Sequence, residues 1–141
     1  MARIKINQPD NFIFTTEVTL RISDINYGGH MGNDAVLSIV HDARIAFLKS
    51  LGYAELDIEG LGIIMSDSAI IYKSEAFHGE TLEINIGISD THKYGMDIIY
   101  FIQEKQSQRE VARVKTGILF FDYNERKVKN TPEEFVNKCN Q

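Results

Sequence analysis

The chain has 141 residues, of which 43% are hydrophobic, and its formal net charge is -5. This length and apolar content predict a single domain over residues 1 to 141 with a sizeable core. The acidic balance, and the lack of a basic stretch interleaved with aromatic residues, exclude a general nucleic-acid binder.

Targeting features are also sparse in the sequence. There is no recognisable signal peptide, and no apolar run reaches the length that crosses a membrane. The single cysteine, Cys139, excludes an intrachain disulfide. We therefore expect a cytoplasmic protein without a membrane partner.

The first predicted element is a strand over residues 12 to 23, where apolar residues such as Phe14 and Val18 alternate with polar ones. From about residue 34 to residue 50 most positions are apolar, which predicts a long helix buried on more than one face. Gly52 is placed to end that helix.

The second half of the chain is predicted to consist mostly of strands. They cover residues 63 to 72, 82 to 88, 96 to 102 and 111 to 121. Because residues 96 to 102 are almost wholly apolar, that strand is expected at the centre of the sheet. A short C-terminal helix is predicted after Thr131, its expected N-cap, with Pro132 at the first helical position. This order of elements predicts an α+β fold in which one antiparallel sheet wraps around a long helix.

A glycine-rich turn at residues 24 to 34 joins the first strand to the long helix. It reads Asp-Ile-Asn-Tyr-Gly-Gly-His-Met-Gly-Asn-Asp. Glycine lets a ligand approach the main chain closely, and the first amides of a helix lack internal acceptors. With His30 and two carboxyl groups, the turn has the parts needed to polarise a carbonyl. The structural alternative is a tight turn in which Asn33 or Asp34 caps the helix.

The other potentially reactive residues do not predict a cofactor site. His41, His78, His92 and Cys139 lack metal-ligand spacing, and the glycines lack the Gly-Lys-Ser/Thr ending of a nucleotide-binding loop. We therefore expect neither a metal nor an organic cofactor.

Four segments together carry a family resemblance. The turn is similar to the pattern Asp-x-Asp-x-x-Gly-His-x-x-Asn, and residues 42 to 48, Asp-Ala-Arg-Ile-Ala-Phe-Leu, are similar to Glu-Ala-Arg-x-x-Phe-Leu. Residues 76 to 82 resemble a common turn into the third strand, and residues 131 to 133 resemble a usual C-terminal ending. In this order they resemble the hotdog-fold acyl-CoA thioesterases, the 4-hydroxybenzoyl-CoA thioesterase-like superfamily, over about residues 15 to 137.

The resemblance implies hydrolysis of an acyl thioester of coenzyme A or of acyl-carrier protein. It also implies a homodimer or homotetramer with sites at the subunit interface. The chain departs from the family pattern at Asn26, where many relatives have an Asp that acts as nucleophile or general base. An amide is a poor nucleophile and takes no proton near neutral pH. Asn26 therefore favours the alternative interpretation, a non-catalytic hotdog module that binds acyl thioesters or has a regulatory role.

Under the hydrolase interpretation, catalysis is assigned to Asn26, His30 and Asp34. His30 is an oxyanion donor or general base, and Asn26 orients water or the substrate carbonyl. Asp34 follows His30 by four residues, one helical turn, and acts as base or fixes the His30 tautomer. The turn amides are candidate oxyanion donors, and substrate contacts are assigned to Tyr27, Gly28, Gly29, Met31 and Asn33.

Overall fold

The computed structural model describes residues 3–141 and shows an antiparallel sheet wrapped around one long helix. The strands are β1 (Phe14–Thr19), β2 (Gly62–Tyr72), β3 (Thr81–His92), β4 (Gly95–Glu104), β5 (Glu110–Asp122) and β6 (Lys127–Val128). The helices are α1 (Ala35–Ser50) and α2 (Glu133–Cys139), with a short 3-10 helix at Ile22–Asp24. The predicted α+β architecture is therefore confirmed.

The strands follow the order β1-β3-β4-β5-β2, and β6 pairs with β5. All of these pairs are antiparallel. The apolar strand β4 is central, as its sequence predicts. This order leaves β1 and β2 at the two ends of the path.

The core lies between α1 and the concave face of the sheet. Helix residues Val40 and Phe47 are buried there against strand residues such as Ile84, Ile98 and Val114. Along β4 the alternate side chains point away from α1, since successive residues of a strand face opposite sides. Each fully buried aliphatic side chain contributes about 1.5–3 kcal/mol, so this layer holds the helix in place.

Helix α1 is buried on one side only. The side away from the sheet carries Leu37 and Ile45, which are 43% and 42% exposed. The prediction of burial on more than one face is therefore wrong for the single chain, because the sheet covers only one side. The helix ends as predicted, with Gly52 at a φ of 88° just after the C-cap. Within residues 3–141, no helix has the length and apolarity needed to cross a membrane.

Two predicted boundaries are wrong for local reasons. The first strand ends at Thr19, because a 3-10 helix follows in which the Arg21 amide donates to Asp24 Oδ2 at 2.9 Å. At the C-terminus, α2 begins at Glu133 with Pro132 at the N-cap position. Thr131 does not cap it, because its hydroxyl donates to the His92 carbonyl at 2.8 Å.

Candidate functional site

The glycine-rich turn is folded around the side chain and main chain of Asn26. The Asn26 amide donates to the His30 carbonyl at 2.9 Å, and the Gly29 amide donates to the Asn26 carbonyl at 3.1 Å. The Gly28 amide donates to Asn26 Oδ1 at 2.9 Å. Gly29 has a φ of 85°, which a side chain would strain. Asn26 is therefore a structural brace, and the amides of Gly28 and Gly29 are already engaged.

Further main-chain bonds hold the turn against the loop after β2. The Met31 amide donates to the Ala76 carbonyl at 2.7 Å, and the Gly32 amide donates to the Asp24 carbonyl at 3.0 Å. Met31 is buried in the core. These bonds fix the neighbouring His30 relative to residues 74 to 76, a contact that sequence analysis did not predict.

His30 lines a cleft of about 220 Å³ between the turn and the end of β2. Its Nδ1 lies 3.2 Å from the Met31 carbonyl oxygen, and its Nε2 lies 3.8 Å from Glu75 Oε1. The His30 side chain is 31% exposed and that of Glu75 is 63% exposed. Asn33 and Tyr72 line the same cleft. Among the residues that line this cleft, Glu75 has the only carboxylate, and sequence analysis did not predict it.

Asp34 lies apart from this cleft. It occupies the N-cap position of α1, but its side chain makes no capping hydrogen bond. Its carboxylate lies beside Gly32, where an added Cβ would come within 2.5 Å of Asp34 Oδ1. Because α1 begins only at Ala35, the expectation that His30 and Asp34 share a helical face is wrong.

Asn26 and Asp34 instead line a second hollow, of about 350 Å³, together with Ser38 at the start of α1. The three residues assigned to catalysis are thus divided between two hollows, with His30 in one and the other two in the next. Tyr27 projects from the turn and is wholly exposed, at 106% of its reference area. Within one chain it therefore packs on neither hollow.

A larger groove, of about 670 Å³, lies on the other face of the sheet under the segment of residues 4 to 10. Among its charged residues Lys115 is paired, since its Nζ lies 2.8 Å from Asp67 Oδ2 and 3.9 Å from Asp97 Oδ1. None of the predicted site residues lines this groove. We therefore take the smaller His30 cleft as the candidate site.

The single thiol lies outside the candidate site. Burial raises the pKa of Cys139 to about 12, so its reactive thiolate form is scarce near neutral pH. Among residues 3–141, no group of three or more His, Cys, Asp or Glu side chains could hold a metal ion.

A second polar cluster lies between α1 and the sheet and was not predicted. Arg44, which is 6% exposed, donates from Nε to Glu55 Oε2 at 2.8 Å and from Nη1 to the Tyr100 hydroxyl at 3.3 Å. The Tyr100 hydroxyl also lies 2.9 Å from Thr116 Oγ1. His41 Nε2 lies 2.7 Å from Glu55 Oε1. We call these five residues the interior cluster, although His41 is 55% exposed at its rim. An arginine on a mostly apolar helix was its only signal in the sequence.

A family model described as the thioesterase-like superfamily matches residues 20 to 139. No curated protein matches the sequence. Many solved structures share the fold.

One similar structure is a 1,4-dihydroxy-2-naphthoyl-CoA thioesterase from Synechocystis, with a TM-score of 0.82 and 21% identity over 91% of this chain and 96% of that one. Another is a 12:0-ACP thioesterase from Umbellularia californica, with a TM-score of 0.74 and 15% identity over 90% of this chain and 52% of that one. At these identities the likeness concerns the fold, and it confirms the hotdog architecture.

Proposed function

This chain belongs to the thioesterase-like superfamily, whose model spans residues 20 to 139, and we propose that it hydrolyses an acyl thioester to a free acid and a thiol. The observation that carries the proposal is the cleft in which His30 lies against a carboxylate at the edge of the glycine-rich turn. Hydrolysis of a thioester needs a base for water and donors for the oxyanion, and both kinds of group occur here.

His30 is the proposed general base of this reaction. Imidazole is the side chain most often used for proton transfer in catalysis, and the His30 ring is partly open to the cleft. The His30 amide donates to no main-chain acceptor among residues 3–141, and because His30 also lines the cleft we propose this amide as oxyanion donor. Asn26 supports both groups by holding the turn in shape. Asp34 and the substrate contacts at Tyr27, Gly28, Gly29, Met31 and Asn33 remain predictions.

The proposed substrate is an acyl-CoA, with acyl-carrier protein as the second possibility for the carrier. One structurally similar protein is named for a naphthoyl-CoA and another for an acyl-ACP. The fold alone does not separate the two carriers, so the assay includes both. The cytoplasm stays the proposed location.

We propose that two copies of the chain complete the site. The His30 cleft, at about 220 Å³, is smaller than the roughly 300–1,000 Å³ of a usual ligand pocket. Strand β2 ends the sheet, and the apolar residues Leu37 and Ile45 are exposed on α1. A second copy paired along β2 would extend the sheet and cover the exposed side chains of Leu37 and Ile45. Light scattering at micromolar concentration should give two or four chains per particle, and a single chain would contradict this.

The second candidate is a module that binds acyl thioesters without hydrolysing them. The observation that favours it is Asn26, whose Oδ1 is engaged by the Gly28 amide. The turn then shapes a binding site but supplies no carboxylate of its own next to His30.

A thiol-release assay separates the two candidates. The purified protein is supplied with short, long and aromatic acyl-CoAs and with acyl-carrier protein, and released thiol is measured against an enzyme-free control. Turnover of at least one substrate is expected. A flat result across the whole panel, combined with binding of a non-hydrolysable acyl-CoA analogue, would support the binding module instead.

A further inference from the structure

We propose that Glu75 is the carboxylate that works with His30, in place of the acidic residue that the turn lacks at Asn26. This inference rests on the proposed hydrolysis and names a residue that sequence motifs did not indicate. Glu75 acts through the imidazole, as a positioning residue, by stabilising the ring after it has taken a proton.

The orientation of the His30 ring supports this pairing. A carbonyl oxygen only accepts hydrogen bonds, so the 3.2 Å contact with the Met31 carbonyl places a proton on His30 Nδ1. In the neutral ring the lone pair is then on Nε2, which is the nitrogen that lies 3.8 Å from Glu75 Oε1. A proton gained at Nε2 therefore appears directly beside a carboxylate.

The backbone of Glu75 is held from two sides. Arg109 Nη2 donates to the Glu75 carbonyl at 3.0 Å and to Glu80 Oε1 at 2.9 Å. The next residue, Ala76, accepts the Met31 amide at 2.7 Å, which joins this loop to the turn. The Glu75 side chain itself is 63% exposed and projects into the cleft. A rigid backbone with a free carboxylate is what a positioning residue requires.

The other nearby carboxylates are less suited to this role. Asp34 lines the second hollow with Asn26 and does not line the His30 cleft. The Asp24 carboxylate accepts the Arg21 amide at 2.9 Å and is used in the 3-10 helix. Glu80 is engaged by Arg109 and by the Phe77 amide at 2.7 Å. Glu75 remains as the carboxylate of the cleft.

The reaction follows from this arrangement. The oxygen of a water molecule bonds to the thioester carbon while one of its protons passes to His30 Nε2, and the carbonyl oxygen takes up negative charge. Glu75 stabilises the resulting imidazolium. The carbonyl then re-forms, the carbon–sulfur bond breaks with its electron pair on sulfur, and Nε2 delivers its proton to that sulfur. The products are the carboxylic acid and the thiol, with no other reactant.

The first test compares substitutions at Glu75 and at Asp34. Glu75→Gln should lower kcat by about 10- to 100-fold, with KM changed less than about threefold, since an oriented base is worth about 10² to 10⁴ in rate. Glu75→Asp should restore part of the loss. The control Glu133→Gln, on the exposed surface of α2, makes the same chemical change and should match the wild type. A Glu75→Gln enzyme within twofold of wild type, or a larger loss from Asp34→Asn, would overturn the proposal.

The second test does not need catalysis. The ring resonances of His30 are followed by NMR against pH in wild type, Glu75→Gln and Glu133→Gln. Loss of the carboxylate should move the His30 titration to lower pH in Glu75→Gln alone, by about 0.3 pH units or more. An unchanged titration would overturn the pairing even in a protein that hydrolyses thioesters. A moved titration in a protein without turnover would uphold the pairing and count against the proposed hydrolysis alone.

Discussion

Two His–Glu pairs in this molecule are built from the same chemical groups but differ in what surrounds them. His41 and Glu55 lie 2.7 Å apart in the interior cluster, where Arg44 also binds Glu55 at 2.8 Å. His30 and Glu75 lie 3.8 Å apart beside the glycine-rich turn, and the Glu75 side chain is 63% exposed. Both oxygens of the Glu55 carboxylate are bound within the protein, although His41 itself is 55% exposed, whereas the Glu75 carboxylate retains capacity for a ligand.

The difference shows how this fold separates stability from function. Among the described residues, no buried side-chain polar atom lacks a hydrogen-bond partner. A buried polar group without a partner is costly, so Arg44, Tyr100 and Thr116, the buried members of the interior cluster, need their partners. A group at the cleft needs no partner in the protein, because water can satisfy its hydrogen bonds. Loss of Arg44 should therefore destabilise the protein, whereas a substitution at the cleft should leave it folded and inactive.

The largest effect is expected from breaking the interior cluster at Arg44. Arg44→Met should lower the free energy of unfolding by about 3 kcal/mol, because it removes a buried ion pair and leaves Glu55 with only His41 and Tyr100 with only Thr116 as partners. Urea unfolding followed by circular dichroism measures this loss. The matched control is Lys105→Met, which removes an exposed ion pair with Glu17 and should cost less than about 1 kcal/mol. Equal losses for the two variants would contradict the comparison.

The corresponding change at the cleft is His30→Ala. It should reduce turnover about a hundredfold or more, since it removes the proposed base, while the unfolding free energy changes by less than about 1 kcal/mol. Thiol release and urea unfolding of the same preparation give both numbers. His41→Ala is the matched control and should retain turnover. A His41→Ala variant as inactive as His30→Ala would show that the two histidines are not divided in this way.

A smaller effect is expected when Asn26 is changed to the residue that is common in relatives. Asn26→Asp keeps an oxygen that can accept the Gly28 amide, so the turn should survive. Turnover should stay within about threefold of wild type, because the cleft already has its histidine and carboxylate. The same thiol-release assay applies. A gain of tenfold or more would favour the binding module as the native function.

The smallest effect concerns how the unfolding free energy depends on pH under acidic conditions. Burial raises the pKa of Glu55, but hydrogen bonds from Arg44 and His41 outweigh burial and hold that pKa below its ordinary value of 4.5. A lowered pKa in the folded state contributes stability above about pH 4.5, and this contribution is lost as pH falls through the folded pKa. The unfolding free energy of wild type should therefore fall more steeply below pH 4.5 than that of Glu55→Gln. The measurement is urea unfolding at a series of pH values. Parallel dependence of the unfolding free energy on pH in the two proteins would contradict this prediction.

The fold was predictable because its signals are local and repeated. Alternation predicted the strands near residues 12 to 23 and 82 to 88, and an almost wholly apolar run predicted β4 as the central strand. Gly52 marked the end of α1. The ends of β1 and α2 were predicted less well, because Asp24 and Thr131 make hydrogen bonds that no periodic pattern records.

The candidate site was predictable only in part. The sequence by itself identified the glycine-rich turn and His30, because glycines, a histidine and a helix start are adjacent along the chain. Only the tertiary structure separated Asp34 from His30 and brought Glu75 to it, since residues 30 and 75 meet through the Met31–Ala76 hydrogen bond. The interior cluster likewise joins α1 to β4 and β5 across the core. Contacts between residues far apart in sequence are fixed by how strands pair and pack, and a single sequence holds no local pattern for them.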